Sequence, residues 1–199
     1  MTQYLGYVSG ILIILSFVPY LRGIFRKETR PERASWLIWS LLGGIATFTQ
    51  LAKGASHSLW LPALQTIGDL AIFLLAIKYG MGGLLKRDKI ALAAVGLSLI
   101  LWYFTQEAAV ALFIVIFIDA VGAVLTILKT HEHPTTEPMS SWVLTCLAGF
   151  VGIFSVGEFD AILLAFPVYI FVANLAIIAT IFFGLRRIRR TQTADPGTI

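Results

Sequence analysis

The chain has 199 residues, of which 58% are hydrophobic and 13% are charged, and its formal net charge is +4. Soluble globular domains carry about 25% charged residues and about 45–50% apolar residues. This composition excludes an ordinary soluble domain and predicts a protein that crosses a membrane several times. The positive charge does not indicate nucleic-acid binding, because the basic residues lie at the ends of apolar runs, where membrane topology explains them. The single cysteine, Cys146, excludes an internal disulfide.

Seven apolar runs, each about 20 residues long, are separated along the chain by short charged clusters. We predict an all-α membrane protein whose seven transmembrane helices cover roughly residues 4–24, 34–53, 59–81, 89–105, 108–128, 141–157 and 161–185. The first run lacks a preceding basic stretch and a cleavage site, so we expect a retained helix rather than a signal peptide. Residues 188–199 are polar, and we predict a disordered cytoplasmic tail there.

The basic residues predict how the helices are oriented. Fourteen of the 15 Lys and Arg residues fall on one side of the seven-helix arrangement, and only Lys53 falls on the other. Lys and Arg are concentrated on the cytoplasmic side of membrane proteins. We therefore predict a multi-pass protein with an external amino terminus and a cytoplasmic carboxyl terminus.

Two segments of the chain recur in the same order. Pro62–Ile72 is similar to Pro167–Ile177 at an offset of 105 residues, and Ser35–Gly43 is similar to Ser141–Gly149 at an offset of 106. Two blocks with one order and nearly one period indicate a tandem duplication. Helices 1–3 and 5–7 are then the two copies, and helix 4 lets both copies enter the membrane in the same direction. The predicted division is a first three-helix bundle at 1–82, a linker helix at 83–106 and a second three-helix bundle at 107–187.

Both copies of the first block place a polar residue in the middle of an apolar helix, Asp69 in the third helix and Asn174 in the seventh. Such a side chain is costly within a bilayer unless it faces a cavity or a partner. We predict that both residues bind a solute and that Asp69 also carries a proton during transport. The alternative is a protonated Asp69 that hydrogen-bonds to a neighbouring helix. Gln50, Gln65 and Tyr169 add polar atoms to helices 2, 3 and 7, and we predict that they also contact the solute.

Asp119 is a second acidic residue within an apolar run, about halfway along the fifth helix, and the first helix has Phe17 at the corresponding place. If Asp119 and Asp69 face the same cavity, the two carboxylates are a basis for proton coupling or for attraction of a cationic solute. If they do not, we expect Asp119 to bond to a Ser, Thr or Trp of the next helix.

Three prolines, Pro19, Pro62 and Pro167, lie within apolar runs. A proline inside a helix removes a backbone hydrogen bond and bends the helix. We predict a kink at each position, which is either fixed or a hinge for alternating access.

Four tryptophans lie near the ends of predicted helices, where aromatic belts meet the membrane surface. We predict that these residues are interface anchors: Trp36, Trp39, Trp60 and Trp142. The tripeptide His131–His133 lies in a proline-containing loop without further ligands nearby, so we expect a solvated loop and no metal site. No cofactor-binding motif and no catalytic motif is found, and we therefore predict that the chain is not an enzyme.

The segment Ser16–Lys27 has a central proline and is followed by a basic loop. With the two three-helix copies and the polar residues of helices 3 and 7, it resembles the SWEET and PQ-loop superfamily (MtN3-like) of small-solute transporters. In the sugar-transporting branch an Asn of each of these helices faces the substrate, and Asp69 and Asn174 occupy the matching places here. The central proline is followed by Tyr20 rather than by the Gln of the family's Pro-Gln dipeptide. The resemblance implies a divergent bacterial member located in the inner (cytoplasmic) membrane.

These features predict a carrier that moves a small polar or cationic solute across the bilayer by alternating access. Its expected partners are the solute and the lipid bilayer, with no nucleic acid, and a homo-oligomer is left open. The alternative is a non-transporting receptor or assembly protein on the same scaffold. A cavity that contains Asp69 and Asp119 favours the carrier, whereas tight helix contacts around both residues favour the alternative.

Overall fold

The computed structural model describes residues 2–52, 60–83, 85–105, 108–155 and 161–194. In this part of the chain there are seven α-helices, and the all-α prediction is confirmed. They are α1 (Thr2–Phe25), α2 (Arg33–Ala52), α3 (Trp60–Tyr79), α4 (Lys86–Thr105), α5 (Ala108–Glu132), α6 (Met139–Ser155) and α7 (Ala161–Ala194). A short 3-10 helix at Pro134–Thr136 precedes α6.

Three helices are long and apolar enough to cross a membrane, judged by length and composition among the described residues. These candidate spans are Tyr4–Phe25, Phe113–Glu132 and Leu164–Arg190. Each presents large apolar side chains at its surface, for example Val18 and Phe183. Extended apolar surface of this kind needs a non-aqueous environment. The three spans therefore indicate a membrane protein.

Helix α7 continues beyond the predicted end at residue 185 and is helical to Ala194. The prediction of a disordered tail at 188–199 is therefore wrong for residues 188–194, which are helical. Residues 195–199 lie outside the described part of the chain. The extension follows from the sequence, because no Gly or Pro occurs between residues 185 and 194.

The helices pack in two corresponding sets. Helix α3 packs against α1 and α2, and α7 packs against α5 and α6. Between the sets, α1 packs against α6 and α2 packs against α5. Exchanging α1 with α5, α2 with α6 and α3 with α7 reproduces the same contacts among these six helices. Helix α4 packs against α5 and α2.

The main buried core joins both sets at one end of the bundle. It contains Tyr20, Ile24, Trp36, Ile72, Trp142, Ile177 and Ile181. Ile72 and Ile177 hold equivalent positions in the duplicated segment, and both are almost completely buried. The duplication therefore places matched apolar residues of α3 and α7 in one core.

The connections at this end of the bundle are tied together by main-chain contacts. Glu32 forms an isolated bridge with Met81, so the α1–α2 loop lies beside the α3–α4 connection. The Arg33 guanidinium donates to the main-chain oxygens of Ala76 at 2.9 Å and Gly82 at 3.0 Å. Gly82 has a φ of +68°, a conformation that a side chain disfavours.

Two of the prolines for which a kink is predicted lie in the interior of a helix, and the third lies in the first turn of its helix. Pro19 and Pro167 lie inside α1 and α7, respectively. Pro62 is the third residue of α3. The first backbone N–H groups of a helix have no partner within that helix, so a proline there interrupts no helical hydrogen bond. The position of Pro62 is therefore different from that of Pro167, although the two are equivalent in the duplication.

Equivalent glycines bring neighbouring helices close together in both sets. A Cβ atom at Gly149 would lie 2.7 Å from the main-chain nitrogen of Phe171 on α7, and one at Gly43 would lie 3.5 Å from the Cα atom of Thr66 on α3. Gly43 and Gly149 are offset by 106 residues, and Thr66 and Phe171 by 105. The same glycine contact is thus repeated, and small residues of this kind let helix backbones approach closely.

We expect Gly149→Ala to lower the free energy of unfolding by about 1–3 kcal/mol, because the new methyl group would overlap the α7 backbone, which cannot rotate away. Gly44→Ala is the matched control, since a Cβ atom there has no neighbour within 4 Å. Its effect should stay within about 0.5 kcal/mol of the unmodified protein. Unfolding in detergent measures both variants. Equal stability of the two would contradict the close α6–α7 contact.

Candidate functional site

A cavity of about 510 Å³ lies between the two sets of helices. Its lining includes residues of α1, α2, α3, α5, α6 and α7, and none from the described part of α4. Most of the lining is apolar, with a small number of polar groups that converge on one space. Such a cavity has the size and character of a small-molecule site.

The structure brings Asp69 and Asn174 together in this cavity. Their exposed fractions are only 6% and 5%. The Asn174 amide nitrogen donates to the main-chain oxygen of Ile170 at 2.8 Å, whereas its side-chain oxygen has no partner among the described residues. The Asp69 carboxylate likewise accepts no hydrogen bond from the described part of the chain. Both repeat-equivalent residues therefore have unused hydrogen-bonding capacity beside an open space.

Asp119 lines the same cavity and interacts electrostatically with Asp69. Its carboxylate also accepts a hydrogen bond of 2.5 Å from the Tyr169 hydroxyl on α7. The two alternatives raised by the sequence are thus combined, since Asp119 faces the cavity and bonds to a neighbouring helix. The partner is a tyrosine, however, rather than the expected Ser, Thr or Trp.

The other predicted polar contacts fall in different places. Gln65 lines the cavity as expected. Tyr169 is not among the lining residues, and its hydroxyl is directed to Asp119. Tyr169 therefore positions a lining residue instead of lining the cavity itself. The Gln50 side chain lies outside the described residues.

Three of the tryptophans predicted as interface anchors line the cavity instead. Trp36, Trp39 and Trp142 join Tyr20 in one group of rings, which we call the aromatic cluster. Ring centroids are 4.8 Å apart for Tyr20 and Trp36, and 5.0 Å apart for Trp36 and Trp39. The anchor prediction is wrong for these three because a Trp near a helix end can also pack inward when its N–H finds a partner. The Trp60 side chain lies outside the described residues.

A buried carboxylate, Glu137, holds the aromatic cluster in place. It accepts hydrogen bonds from the Tyr20 hydroxyl at 3.0 Å and from the Trp142 indole nitrogen at 2.8 Å. It also forms an ion pair with Lys129. The exposed fractions of Lys129 and Glu137 are 2% and 6%. Glu137 and the side chains bonded to it bound the cavity at the end of the bundle where α1 and α5 end and α6 begins.

Glu137 and Lys129 were not predicted as site residues, although the sequence contains a pattern that points to Glu137. A Pro-Glu pair, Pro31–Glu32, precedes α2, and a Glu-Pro pair, Glu137–Pro138, precedes α6. Acidic residues favour the positive end of a helix dipole. Buried Glu residues before two equivalent helices could therefore have been inferred from the sequence.

Glu32 has a corresponding structural role before α2. Its carboxylate accepts a 2.6 Å hydrogen bond from the Ser35 main-chain nitrogen, while its second oxygen has no partner among the described residues. The Ser35 hydroxyl donates to the main-chain oxygen of Gly122 at 2.7 Å, which joins α2 to α5. Burial raises the pKa of Glu32, and the hydrogen bond from the Ser35 main-chain nitrogen opposes that increase.

We expect Glu137→Gln to lower the free energy of unfolding by about 3–5 kcal/mol, because it leaves Lys129 buried without a counter-charge. The double variant Lys129→Met with Glu137→Gln should lose less than the single variant. Glu132→Gln is the control, since its ion pair with Arg87 is exposed and should contribute less than about 1 kcal/mol. Unfolding in detergent provides the measurement. A double variant less stable than Glu137→Gln would contradict the buried pair.

We expect the pKa of Glu32 to make the folded protein less stable as pH rises. A raised pKa means that the folded state binds the proton more tightly than the unfolded state. Its contribution is complete below the unfolded pKa of about 4.3 and is lost as pH rises through the folded pKa. Glu32→Gln should reduce this decline in melting temperature, and Glu28→Gln, at an exposed position, should not. Identical pH profiles for both variants would contradict the assignment.

Comparison with known proteins adds no relative. No protein-family model matches the chain, and neither a curated protein nor a solved structure matches it. The cavity and its lining residues are therefore the basis for the function proposed for this chain.

Proposed function

We propose that this protein is a carrier that moves a small polar or cationic solute across the cytoplasmic membrane of a bacterium. The seven helices cross the bilayer as two parallel three-helix repeats, α1–α3 and α5–α7, with α4 as the linker. The solute binds in the cavity between the repeats, and the repeats expose it to each side in turn. This arrangement is that of a divergent member of the SWEET and PQ-loop superfamily.

The helix contacts support the division into repeats at 1–82 and 107–187, with 83–106 as the linker. The contacts among the six helices are unchanged when the two sets are exchanged. The glycine contacts of α2 with α3 and of α6 with α7 also correspond. A cavity between two equivalent bundles is where transporters built from repeats bind their substrates.

One observation carries the proposal. Asp69 and Asn174 occupy equivalent positions in the two repeats, and both line one cavity with unused hydrogen-bonding capacity. A purely structural role would be expected to use these groups in helix–helix hydrogen bonds. An assembly protein that recognises its partner at the surface does not need such groups beside an internal cavity, and a cavity between two corresponding bundles favours a carrier over a receptor.

The distribution of basic residues indicates which end of the cavity faces the cytoplasm. The positive-inside rule places the ends of α1, α3, α5 and α7 in the cytoplasm. The aromatic cluster and the Lys129–Glu137 pair lie between the cavity and that side. Passage to the cytoplasm therefore requires this layer to separate. Pro19 of α1 lies directly before Tyr20 and is a candidate hinge for that movement.

Asp69 and Asp119 are the proposed proton-coupling residues. Both carboxylates line the cavity and interact electrostatically, so the charge of one affects proton binding by the other. Tyr169 hydrogen-bonds only to Asp119, which makes the two acids inequivalent. Asp69 is the more direct solute ligand, because its carboxylate is free of hydrogen bonds from the described residues.

We expect Asp69→Asn to abolish solute uptake while leaving the melting temperature nearly unchanged, because Asn keeps the shape but not the charge. Asp119→Asn should shift the pH optimum of uptake without abolishing it. Glu28→Gln removes an exposed acid and serves as the control. A thermal-shift screen against sugars, amino acids and vitamins at two pH values would identify the solute, and uptake into proteoliposomes would compare the variants.

Unchanged uptake by Asp69→Asn would contradict the carrier mechanism. Solute binding without uptake by the unmodified protein would instead favour the receptor on the same scaffold.

A further inference from the structure

We infer that the cavity selects a protonated alkylamine, whose ammonium group lies between Asp69 and Asn174 and whose alkyl part lies against the aromatic cluster. This inference rests on the proposed carrier function and narrows its solute to one chemical class. It depends on three properties of the cavity, namely its charge, its balance of hydrogen-bond donors and acceptors, and its ring surfaces.

The charges that face the cavity are of one sign. Asp69 and Asp119 are the acidic residues of the lining, and no Lys, Arg or His is found among the described lining residues. The nearest buried cation, Lys129, is paired with Glu137 on the other side of the aromatic cluster. When these acids are ionised, an anionic solute is repelled and a neutral solute leaves the carboxylates without a counter-charge. A cation is the solute that this distribution favours.

The hydrogen-bonding groups favour a donor over an acceptor. The Ser16 and Thr145 hydroxyls and the Asn174 amide donate to main-chain oxygens of their own helices. The Asp69 carboxylate and the Asn174 side-chain oxygen remain as acceptors without partners in the described part of the chain. An ammonium group carries N–H donors and no acceptor, so it matches this cavity. A sugar also needs donors from the protein, and those that remain in the lining are the Ser141 hydroxyl, which has no partner among the described residues, and the Gln65 amide.

The aromatic cluster presents ring surfaces rather than polar groups. The Trp36 indole nitrogen donates to the Tyr20 hydroxyl at 3.1 Å, and that hydroxyl donates to Glu137. The Trp142 and Trp39 indole nitrogens donate to Glu137 and to the Asp119 main-chain oxygen. Because these polar atoms are occupied, the rings offer their π faces and edges to a solute. Such faces attract a cation and pack against its alkyl chain.

The test compares two four-carbon probes that differ in one group. Aminobutanol carries one positive charge at neutral pH, and butanediol has a hydroxyl in place of the ammonium group. Binding to the purified full chain is followed by the fluorescence of its tryptophans, three of which line the cavity. We expect aminobutanol to bind at least about tenfold more tightly than butanediol, since the carboxylates favour only the charged probe.

Variants of lining residues test whether the tighter binding of aminobutanol arises in the cavity. Asp69→Asn should weaken aminobutanol binding about tenfold or more and weaken butanediol binding much less, so that the preference for the charged probe is lost. Trp39→Leu should weaken aminobutanol binding by about two- to fivefold, through loss of a ring surface. Glu28→Gln removes an acid far from the lining and should change neither probe. The comparison of the two probes uses the unmodified protein, so its result does not depend on whether any variant folds.

The possible results separate this inference from the carrier function. Equal binding of the two probes, tighter binding of glucose, or no binding of aminobutanol overturns the inference and leaves a carrier for another solute. Tight binding of aminobutanol without uptake into proteoliposomes supports the inference and overturns the carrier. Selective binding that is lost in Asp69→Asn, together with uptake, supports both.

Discussion

The Glu137 carboxylate is the polar group on which the architecture of the cavity depends. It joins Tyr20 of α1, Lys129 of α5 and Trp142 of α6 in one buried group. Without this carboxylate, the indole nitrogen of Trp142 and the ammonium group of Lys129 would lie buried without their main acceptor, which is strongly unfavourable. The aromatic cluster has an ordered arrangement because its polar atoms are satisfied outside the cavity.

The two corresponding sets of helices, α1–α3 and α5–α7, build an asymmetric site. Asp69 and Asn174 are equivalent, but only the first can change its charge. On the α3 side, the Phe17 ring packs so close to Gly68 that a Cβ atom there would lie 2.8 Å from it. On the α7 side, Tyr169 instead hydrogen-bonds to Asp119. The corresponding helices thus supply equivalent positions, but the first set contributes one acid, Asp69, whereas the second contributes an acid and a neutral amide, Asp119 and Asn174.

The sequence predicts the backbone of this fold better than the direction of its side chains. The seven apolar runs match the seven helices because length and hydrophobicity alone distinguish them from the charged loops. The duplicated segments also predicted that Asp69 and Asn174 would be brought together. The inward position of Trp36 and Trp142 was not predictable in this way, because helices that are apolar on all sides give no periodic signal for their inner face. The acidic residues before α2 and α6 were a usable signal for Glu32 and Glu137, but the pairing of Glu137 with Lys129 joins α5 to a loop and depends on tertiary packing that local patterns do not encode.

The contacts between the two sets of helices have a mechanical consequence. Within each set, the glycine contacts bring backbones together and resist sliding. Between the sets, α1 meets α6 and α2 meets α5, and Ser9 donates to the main-chain oxygen of Ala148 at 2.8 Å. Most of the polar contacts between the sets lie near Glu137, where Tyr20 donates to its carboxylate and Lys129 donates to the main-chain oxygen of Arg30. A shear of one set past the other would therefore break this layer while preserving each three-helix unit. The resistance to relative movement of the two sets is thus concentrated at one end of the cavity.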